Sequence, residues 1–273
     1  MKKISVLGTT LFALLIYTCG YPQVSLRSWE EYRAMRVHPP YILELQSDEG
    51  ALLYFGAEHT SDLAHPQFAQ IENYWEAFNP TLVFSEGGRI RPQEQSRDIA
   101  IQKYGEQGLL RWLAAKDSVP IRSIEPDQNE EVAALLSTYT PEQLKFYYLT
   151  REVVSYQRNQ PDKPLEDYLV DYLERYNKVP SLSGPPRTFT ELDSLYDLWF
   201  NKDSDWRAFP SRWVAPSILE VFTNHIARDV VKIRDTHHVK TLVQAVNQGE
   251  RVFSVIGFGH VVVQEPALRK ALQ

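Results

Sequence analysis

The chain has a single cysteine, Cys19, among its 273 residues, and this scarcity excludes an internal disulfide. After the N-terminal stretch, no segment is long and apolar enough to cross a bilayer. Basic residues are also fewer than acidic ones: 29 Lys and Arg against 35 Asp and Glu give a net charge of -6. The sequence contains no stripe of basic residues. We therefore expect no nucleic-acid partner. An apolar fraction of 43% is enough for a substantial core.

Several catalytic signatures are also missing. The sequence has no Gly-x-Ser-x-Gly turn for a serine nucleophile and no glycine-rich phosphate loop that ends in Gly-Lys. Its one cysteine lies at the end of the N-terminal apolar run, outside the expected fold. These absences argue against a serine or cysteine nucleophile and against P-loop nucleotide hydrolysis.

The first twenty residues predict a secretion signal. Two lysines precede an apolar run from Ile4 to Tyr17, and a small-residue end follows around Cys19. Cys19 fits the acylated cysteine of a bacterial lipoprotein, whereas cleavage after Gly20 would release an unanchored chain. Both alternatives predict an exported protein of the periplasm or cell envelope, with a lipid anchor to the membrane in the first case.

Strands and helices alternate along much of the chain, which predicts parallel βαβ units and an α/β fold: a mostly parallel central sheet flanked by helices. From about residue 130 to residue 213 the strand pattern gives way to helical, aromatic segments, which predicts a helical insertion, or cap, in a single domain that spans 21–273. The predicted strands are Tyr41–Gln46, Ala51–Phe55, Thr81–Ser85, Val119–Ile124 and Val252–Ile256, and the predicted helices around them are Gln67–Phe78, Gly108–Lys116, about 216–247 and 266–272.

Two glycine-histidine motifs each follow an apolar strand: Gly-x-x-His from Gly56 to His59, and Gly-x-Gly-His from Gly257 to His260. In an open α/β sheet, ligand-binding groups gather beyond the carboxyl ends of the strands. Glycine lets the backbone turn sharply and close on a ligand, so Gly56, Gly257 and Gly259 are expected to line the binding site. His59 and His260 would then face each other across it. The alternative is two unrelated histidines in ordinary loops.

Two further strands end in carboxylates, Glu86 and Glu125. Two imidazoles and a carboxylate suit a catalytic first-row metal that keeps an open position for water. We therefore expect His59, Glu86 and His260 to bind a divalent metal (Mn, Co, Zn or Fe) that activates a water molecule. Glu125 would be the general base, or a carboxylate that orients a histidine.

Arg234, on the last long predicted helix, is the expected electrophile, because its permanent charge could hold a developing oxyanion or a substrate carboxylate. The alternative is a salt bridge to Glu86 or Glu125. Asp235 is expected on the helix surface or behind the ligands. His237 and His238 are expected outside the ligand set, since neighbouring helical residues point about 100° apart and do not easily share one ion.

The ordered set of motifs resembles the TraB/Tiki superfamily, which includes ChaN-type haem-uptake proteins and erythromycin-esterase-like enzymes. The matching positions are Gly56–His59, Glu86, Glu125, Arg234-Asp235 and Gly257–His260, with Asp235 where an Asn is usual. The resemblance implies an exported, metal-dependent hydrolase of peptide or ester bonds, acting on a peptide or small-molecule substrate. The alternatives are an envelope protein that binds haem or another iron-containing ligand, and a degenerate member that serves as an interaction module.

Overall fold

One mixed, mostly parallel sheet lies at the centre of the protein. The structure, a computed structural model, describes residues 24–87, 94–159, 162–200 and 204–273, so the predicted secretion signal with Cys19 lies outside the described residues. The described strands are β1 (Tyr41–Gln46), β2 (Ala51–Ala57), β3 (Leu82–Ser85), β4 (Ile121–Ser123) and β5 (Arg251–Gly257). Their order across the sheet is β1-β2-β5-β3-β4. Only the β1–β2 pair is antiparallel, which confirms the predicted α/β class.

Helices flank this sheet and fill the long connection between β4 and β5. Three short 3-10 helices, Pro180–Leu182, Trp206–Ala208 and Ser211–Val214, interrupt that connection. The described α-helices are α1 (Trp29–Met35), α2 (Gln67–Phe78), α3 (Arg97–Lys116), α4 (Gln128–Leu135), α5 (Pro141–Asn159), α6 (Leu165–Asn177), α7 (Phe189–Trp199), α8 (Phe222–Asn247) and α9 (Phe258–Leu272). None of these helices is long and apolar enough to span a membrane.

The sheet is buried on both faces, as a run of consecutive apolar residues in β2 requires. Successive side chains of a strand point to opposite faces. Leu52 and Tyr54 accordingly pack with the second half of α8 and with α9, whereas Leu53 and Phe55 pack with α2 and α3. The sheet is thus the middle layer of three.

The helices between β4 and α8 have a separate hydrophobic cluster, which we call the insertion cluster. It combines α4–α7, the 3-10 helices and the first turns of α8. Its largest buried side chains are aromatic and include Phe146, Tyr148, Tyr196, Trp206 and Phe209. The aromatic residues at helical spacing are therefore packing residues.

Helix α8 joins the two parts of the fold. Ile226 and Val230 belong to the insertion cluster, while Val239 and Leu242, farther along the same helix, pack beneath the sheet. The residues between them face the carboxyl ends of the parallel strands, where α8 passes from one cluster to the other. Arg234 lies in this middle segment.

Two helices begin earlier than the sequence predicted. Helix α3 starts at Arg97 rather than Gly108, and Gly105, with φ 55° and ψ -138°, kinks it. Helix α9 starts at Phe258 and contains Pro266 in its interior. Proline cannot donate the usual bond to the carbonyl four residues back. The Arg27 side chain donates to that carbonyl, on Val262, through Nε at 3.0 Å.

Candidate active site

The predicted site residues come together at the carboxyl ends of the four parallel strands. His59 lies two residues beyond β2, Glu86 directly follows β3, and Glu125 lies two residues beyond β4. His260 lies in the first turn of α9, immediately after β5. Because the register aligns these strand ends, the four side chains lie along one rim of the sheet.

Gly257, the last residue of β5, is the point at which three of these side chains meet. Its N–H donates to Glu86 Oε2 at 2.8 Å. A Cβ atom at this position would lie 3.0 Å from His59 Nε2 and 3.8 Å from His260 Cδ2. Glycine at this position therefore leaves room for the imidazole of His59, whereas a Cβ would make an ordinary contact with His260.

His59 is oriented by a buried carboxylate that the sequence analysis missed. Its Nδ1 lies 2.7 Å from Oε1 of Glu106, just after the kink in α3. This hydrogen bond, with the charge of Glu86, raises the pKa of His59 against the opposing effect of burial. With Nδ1 bound to Glu106, Nε2 is the nitrogen that faces Gly257.

His260 is held in the same way by Asp235 of α8, with Nδ1 2.6 Å from Oδ1. Burial alone would lower the pKa of His260, but the charge of Asp235 and the hydrogen bond to it raise that pKa to about 9. Gln264 also donates to Asp235 Oδ1, at 2.7 Å, and accepts from the hydroxyl of Tyr54 at 3.0 Å. The buried polar network behind His260 therefore links α8, α9 and β2.

His238 belongs to this network, because its Nδ1 lies 3.2 Å from Gln264 Nε2, and it is a possible metal ligand that the sequence analysis did not expect. Asp235, His238 and His260 form a group that could hold a metal ion, with ligand atoms that all lie within 4.8 Å of one another. Neighbouring helical residues point about 100° apart, so His237 and His238 do not share an ion easily. Asp235 and His238, however, are three residues apart and lie on the same face of the helix. In the described part of the chain, no other three potential ligands come this close, so His59 and Glu86 lie outside the group.

Three buried atoms in this region have no hydrogen-bond partner among the described residues: Asp235 Oδ2, His238 Nε2 and Glu125 Oε2. A native protein rarely leaves such atoms unpaired, and an ion or an ordered water is the usual explanation. Carboxylate oxygen and imidazole nitrogen are ligands that first-row divalent metals accept. The side chains here therefore fit a bound cation.

Glu125 and Arg234 lie close together, as the sequence analysis expected if Arg234 forms a salt bridge to Glu86 or Glu125. Arg234 Nε is 3.7 Å from Glu125 Oε2 but only 2.6 Å from Oε2 of the buried Glu131, which the sequence did not indicate. Burial alone would raise the pKa of Glu125, but contact with His238 and the charge of Arg234 hold it well below its usual range. Its position 3.7 Å from Arg234 and 3.8 Å from His238 fits the expected role of a carboxylate that orients its neighbours.

A cavity of about 230 Å³ opens beside these residues. Glu86, Glu125 and Arg234 line it from the side of the sheet and α8. The insertion contributes further lining residues from α5 and α6, and these carry positive charge and aromatic rings. A small cavity thus lies between the strand-end carboxylates and the helices that precede α8.

Of the other two predicted glycines, only Gly56 has a packing explanation, because a Cβ at Gly259 would make an ordinary contact. A Cβ at Gly56 would lie 2.8 Å from both Phe258 Cα and Tyr41 O, so the close approach of α9 and β1 requires glycine there. Gly259 faces the hydroxyl of Tyr32, 3.4 Å from where its Cβ would lie. Their predicted contact with a cofactor stays a prediction.

Comparisons with protein-family models, with curated proteins and with solved structures found no match to this chain.

Proposed function

We propose that this protein is a metal-dependent hydrolase that cleaves a peptide or ester bond with a metal-activated water molecule. The observation that carries the proposal is the convergence on Gly257 of two imidazoles and Glu86, with each imidazole fixed through Nδ1 by a buried carboxylate. Metal-binding histidines characteristically donate their second ring nitrogen to a carboxylate in this way.

We assign the metal to His59 Nε2, His260 Nε2 and Glu86, with Asp235 and Glu106 as the carboxylates behind the histidines. The ligand atoms of these three residues do not all lie within 4.8 Å of one another, so the side chains must close on the ion when it binds. A bound divalent ion such as Mn, Co, Zn or Fe would act as a Lewis acid and bring the pKa of a bound water toward neutrality. The alternative ligand set is the buried group Asp235, His238 and His260, which shares only His260 with our assignment.

The remaining residues bind and polarise the substrate. Arg234 donates to Glu131 through Nε and Nη2, and its Nη1 has no hydrogen-bond partner in the described residues. This arrangement holds a fixed positive charge at the cavity, where it stabilises the negative charge that develops on an attacked carbonyl oxygen. Glu125 places a negative charge 3.7 Å from Arg234 Nε and 3.8 Å from His238 Nε2.

Metal content of purified single-residue variants tests the proposal. Replacing His59, Glu86 or His260 with Ala removes one of three ligands, so each variant should lose stoichiometric metal by elemental analysis. His238→Ala separates the two ligand sets, because it should retain metal under our assignment and lose it under the alternative. His225→Ala is the matched control, since His225 is exposed and lies ten residues before Asp235 on α8, about 15 Å along the helix.

Hydrolysis of a panel of peptides and esters by the metal-loaded protein completes the test. The parent should turn over at least one class, and Arg234→Gln should lower turnover by about 10²–10³-fold while metal content stays unchanged. Parent protein without metal after reconstitution would contradict the proposal. A red-brown protein with a Soret band would instead indicate the haem-binding alternative.

A further inference from the structure

The insertion contributes two arginines to the cavity, and neither is neutralised there by a hydrogen-bonded carboxylate. Arg151 of α5 makes no hydrogen bond in the described residues, and its one ion pair, with Glu152 Oε1, is at 3.9 Å. Arg175 of α6 donates to the hydroxyl of Tyr176 at 2.9 Å. Among the described residues, no carboxylate oxygen lies within 4.0 Å of its guanidinium nitrogens. Both guanidinium groups line the cavity together with Glu86 and Glu125.

Aromatic stacking holds Arg175 in position. Its guanidinium carbon lies 4.9 Å from the ring centroids of both Tyr172 and Tyr176, within cation-π range. A stacked guanidinium loses little freedom on binding, and its planar fork matches the oxygens of a carboxylate or phosphate. The two tyrosine rings therefore fix the guanidinium in place but leave its positive charge without a carboxylate partner.

Two of the three carboxylates that line the cavity, Glu131 and Glu86, already accept short hydrogen bonds, and the third, Glu125, faces Arg234 at 3.7 Å. Glu131 accepts from Arg234 and from the hydroxyl of Tyr148, at 2.6 and 2.7 Å. Glu86 accepts from the backbone of Gly257. The guanidinium groups of Arg151 and Arg175 are therefore the charges that α5 and α6 offer to a ligand. The opposite wall, at the strand ends, belongs to the proposed metal site.

We propose that Arg151 and Arg175 bind an anionic group of the substrate, a carboxylate or a phosphate, while the bond to be cleaved lies at the strand ends. This assignment rests on the proposed hydrolase function. Because the proposed metal ligand Glu86 lines the same cavity as both arginines, we expect the anionic group close to the cleaved bond. The substrate class is therefore an acyl compound with a nearby terminal charge, such as the carboxyl end of a peptide.

Calorimetric titration of the metal-free full chain with small probes tests this subsite. The probes are N-acetylglycine, its uncharged N-methylamide and inorganic phosphate. We expect the anions to bind and the amide not to bind. Tighter binding of N-acetylglycine would identify a carboxylate, and tighter binding of phosphate a phosphate ester. Equal affinity for the amide, or no binding of either anion, would overturn the proposal.

Variants separate the subsite from general surface charge. Arg151→Gln and Arg175→Gln should each raise the Kd of the preferred anion at least about tenfold, because a hydrogen bond between charged groups contributes a factor of that size. Arg151→Lys, which keeps the charge but not the fork, should fall between Arg151→Gln and the parent. Arg33→Gln is the control, since Arg33 lies on α1 at an exposed position outside the cavity.

The same variants distinguish failure of this subsite from failure of the hydrolase proposal. Thermal melting followed by circular dichroism establishes that each variant is folded. Arg151→Gln should still take up metal like the parent, because it removes no proposed ligand. A parent that binds the anion but no metal would refute the hydrolase alone, whereas anion binding unchanged in a folded Arg151→Gln would refute the subsite alone.

Discussion

At the scale of single residues, the site depends on carboxylates that fix histidines. Glu106 and Asp235 each accept from Nδ1 of an imidazole, so Nε2 of His59 and of His260 is the nitrogen available to a ligand. Such a partner fixes the tautomer and the ring orientation and makes the free nitrogen more basic. The proposed metal affinity therefore depends on residues that do not touch the metal.

Glu106→Gln tests this dependence. The amide keeps the size of the side chain but not its charge, so we expect metal affinity to fall about 10–100-fold while the protein stays folded. Affinity is measured by competition with a chromophoric chelator. Glu76→Gln makes the same chemical change at an exposed position of α2 and should leave affinity unchanged. Equal affinities in the two variants would show that Glu106 does not support His59.

At the scale of elements, the kink in α3 brings the helix against the loop that carries His59. Gly105 has φ 55°, and a Cβ there would lie 2.6 Å from the carbonyl oxygen of Thr60. The residue that follows the kink is Glu106. One glycine thus both admits the loop backbone and places the carboxylate that binds His59.

Gly105→Ala should therefore lower both stability and metal affinity. Gly249 also has a positive φ, 92°, but its Cβ would meet nothing closer than 3.9 Å, so Gly249→Ala reports backbone strain alone, about 1–2 kcal/mol. The steric clash at Gly105 should lower the free energy of unfolding by a further 1–3 kcal/mol or so. Denaturant titration measures this difference. If Gly105→Ala matched Gly249→Ala in stability and in metal affinity, the packing against Thr60 would be unimportant.

Elements with local signals were predicted well. The strand Tyr41–Gln46 and the helix Gln67–Phe78 have the predicted bounds, because apolar periodicity and a nearby turn or Asn-Pro pair define them. The start of α9 was not predictable from its own residues. Pro266 reads locally as a helix start, and its missing hydrogen bond is replaced by Arg27, more than 230 residues away in sequence.

The site residues also fall into those that the sequence predicted and those that it missed. Strand-end positions led to His59, Glu86, Glu125 and His260, because the topology of a parallel sheet brings such positions together. Glu106 was missed because its contact with His59 spans 47 residues and depends on a helix kink. A glycine followed by an acidic residue inside a helical segment was the one available signal. For His238, the signal was its spacing of three residues from Asp235.

At the scale of the whole molecule, α8 couples two hydrophobic clusters into one unfolding unit. Ile226 is fully buried in the insertion cluster, and Leu242, on the same helix, is fully buried beneath the sheet. A continuous helix does not easily unfold at one end while the other stays packed, since the site residues in its middle contact both parts. We therefore expect cooperative unfolding.

Ile226→Ala and Leu242→Ala should each lower the free energy of unfolding by about 2–5 kcal/mol through the cavity that they leave. Hydrogen exchange across a denaturant series, read by mass spectrometry, should show peptides of α5 and β5 losing protection together in both variants. Leu198→Ala is the control, because Leu198 is 71% exposed and its truncation should change stability by less than about 0.5 kcal/mol. Loss of protection in α5 while β5 stays protected would show two independent units.

The strand order also bears on self-association. A sheet ends in strands whose unpaired backbone groups can recruit another chain and start aggregation. In the described residues these outer strands are β4, which is only three residues long, and β1, which exposes Glu44 and Gln46 and follows two prolines that have no N–H to offer. The long, apolar strands β2 and β5 lie inside, paired on both sides. The segments with the greatest tendency to form amyloid-like contacts are thus accessible only when the chain unfolds.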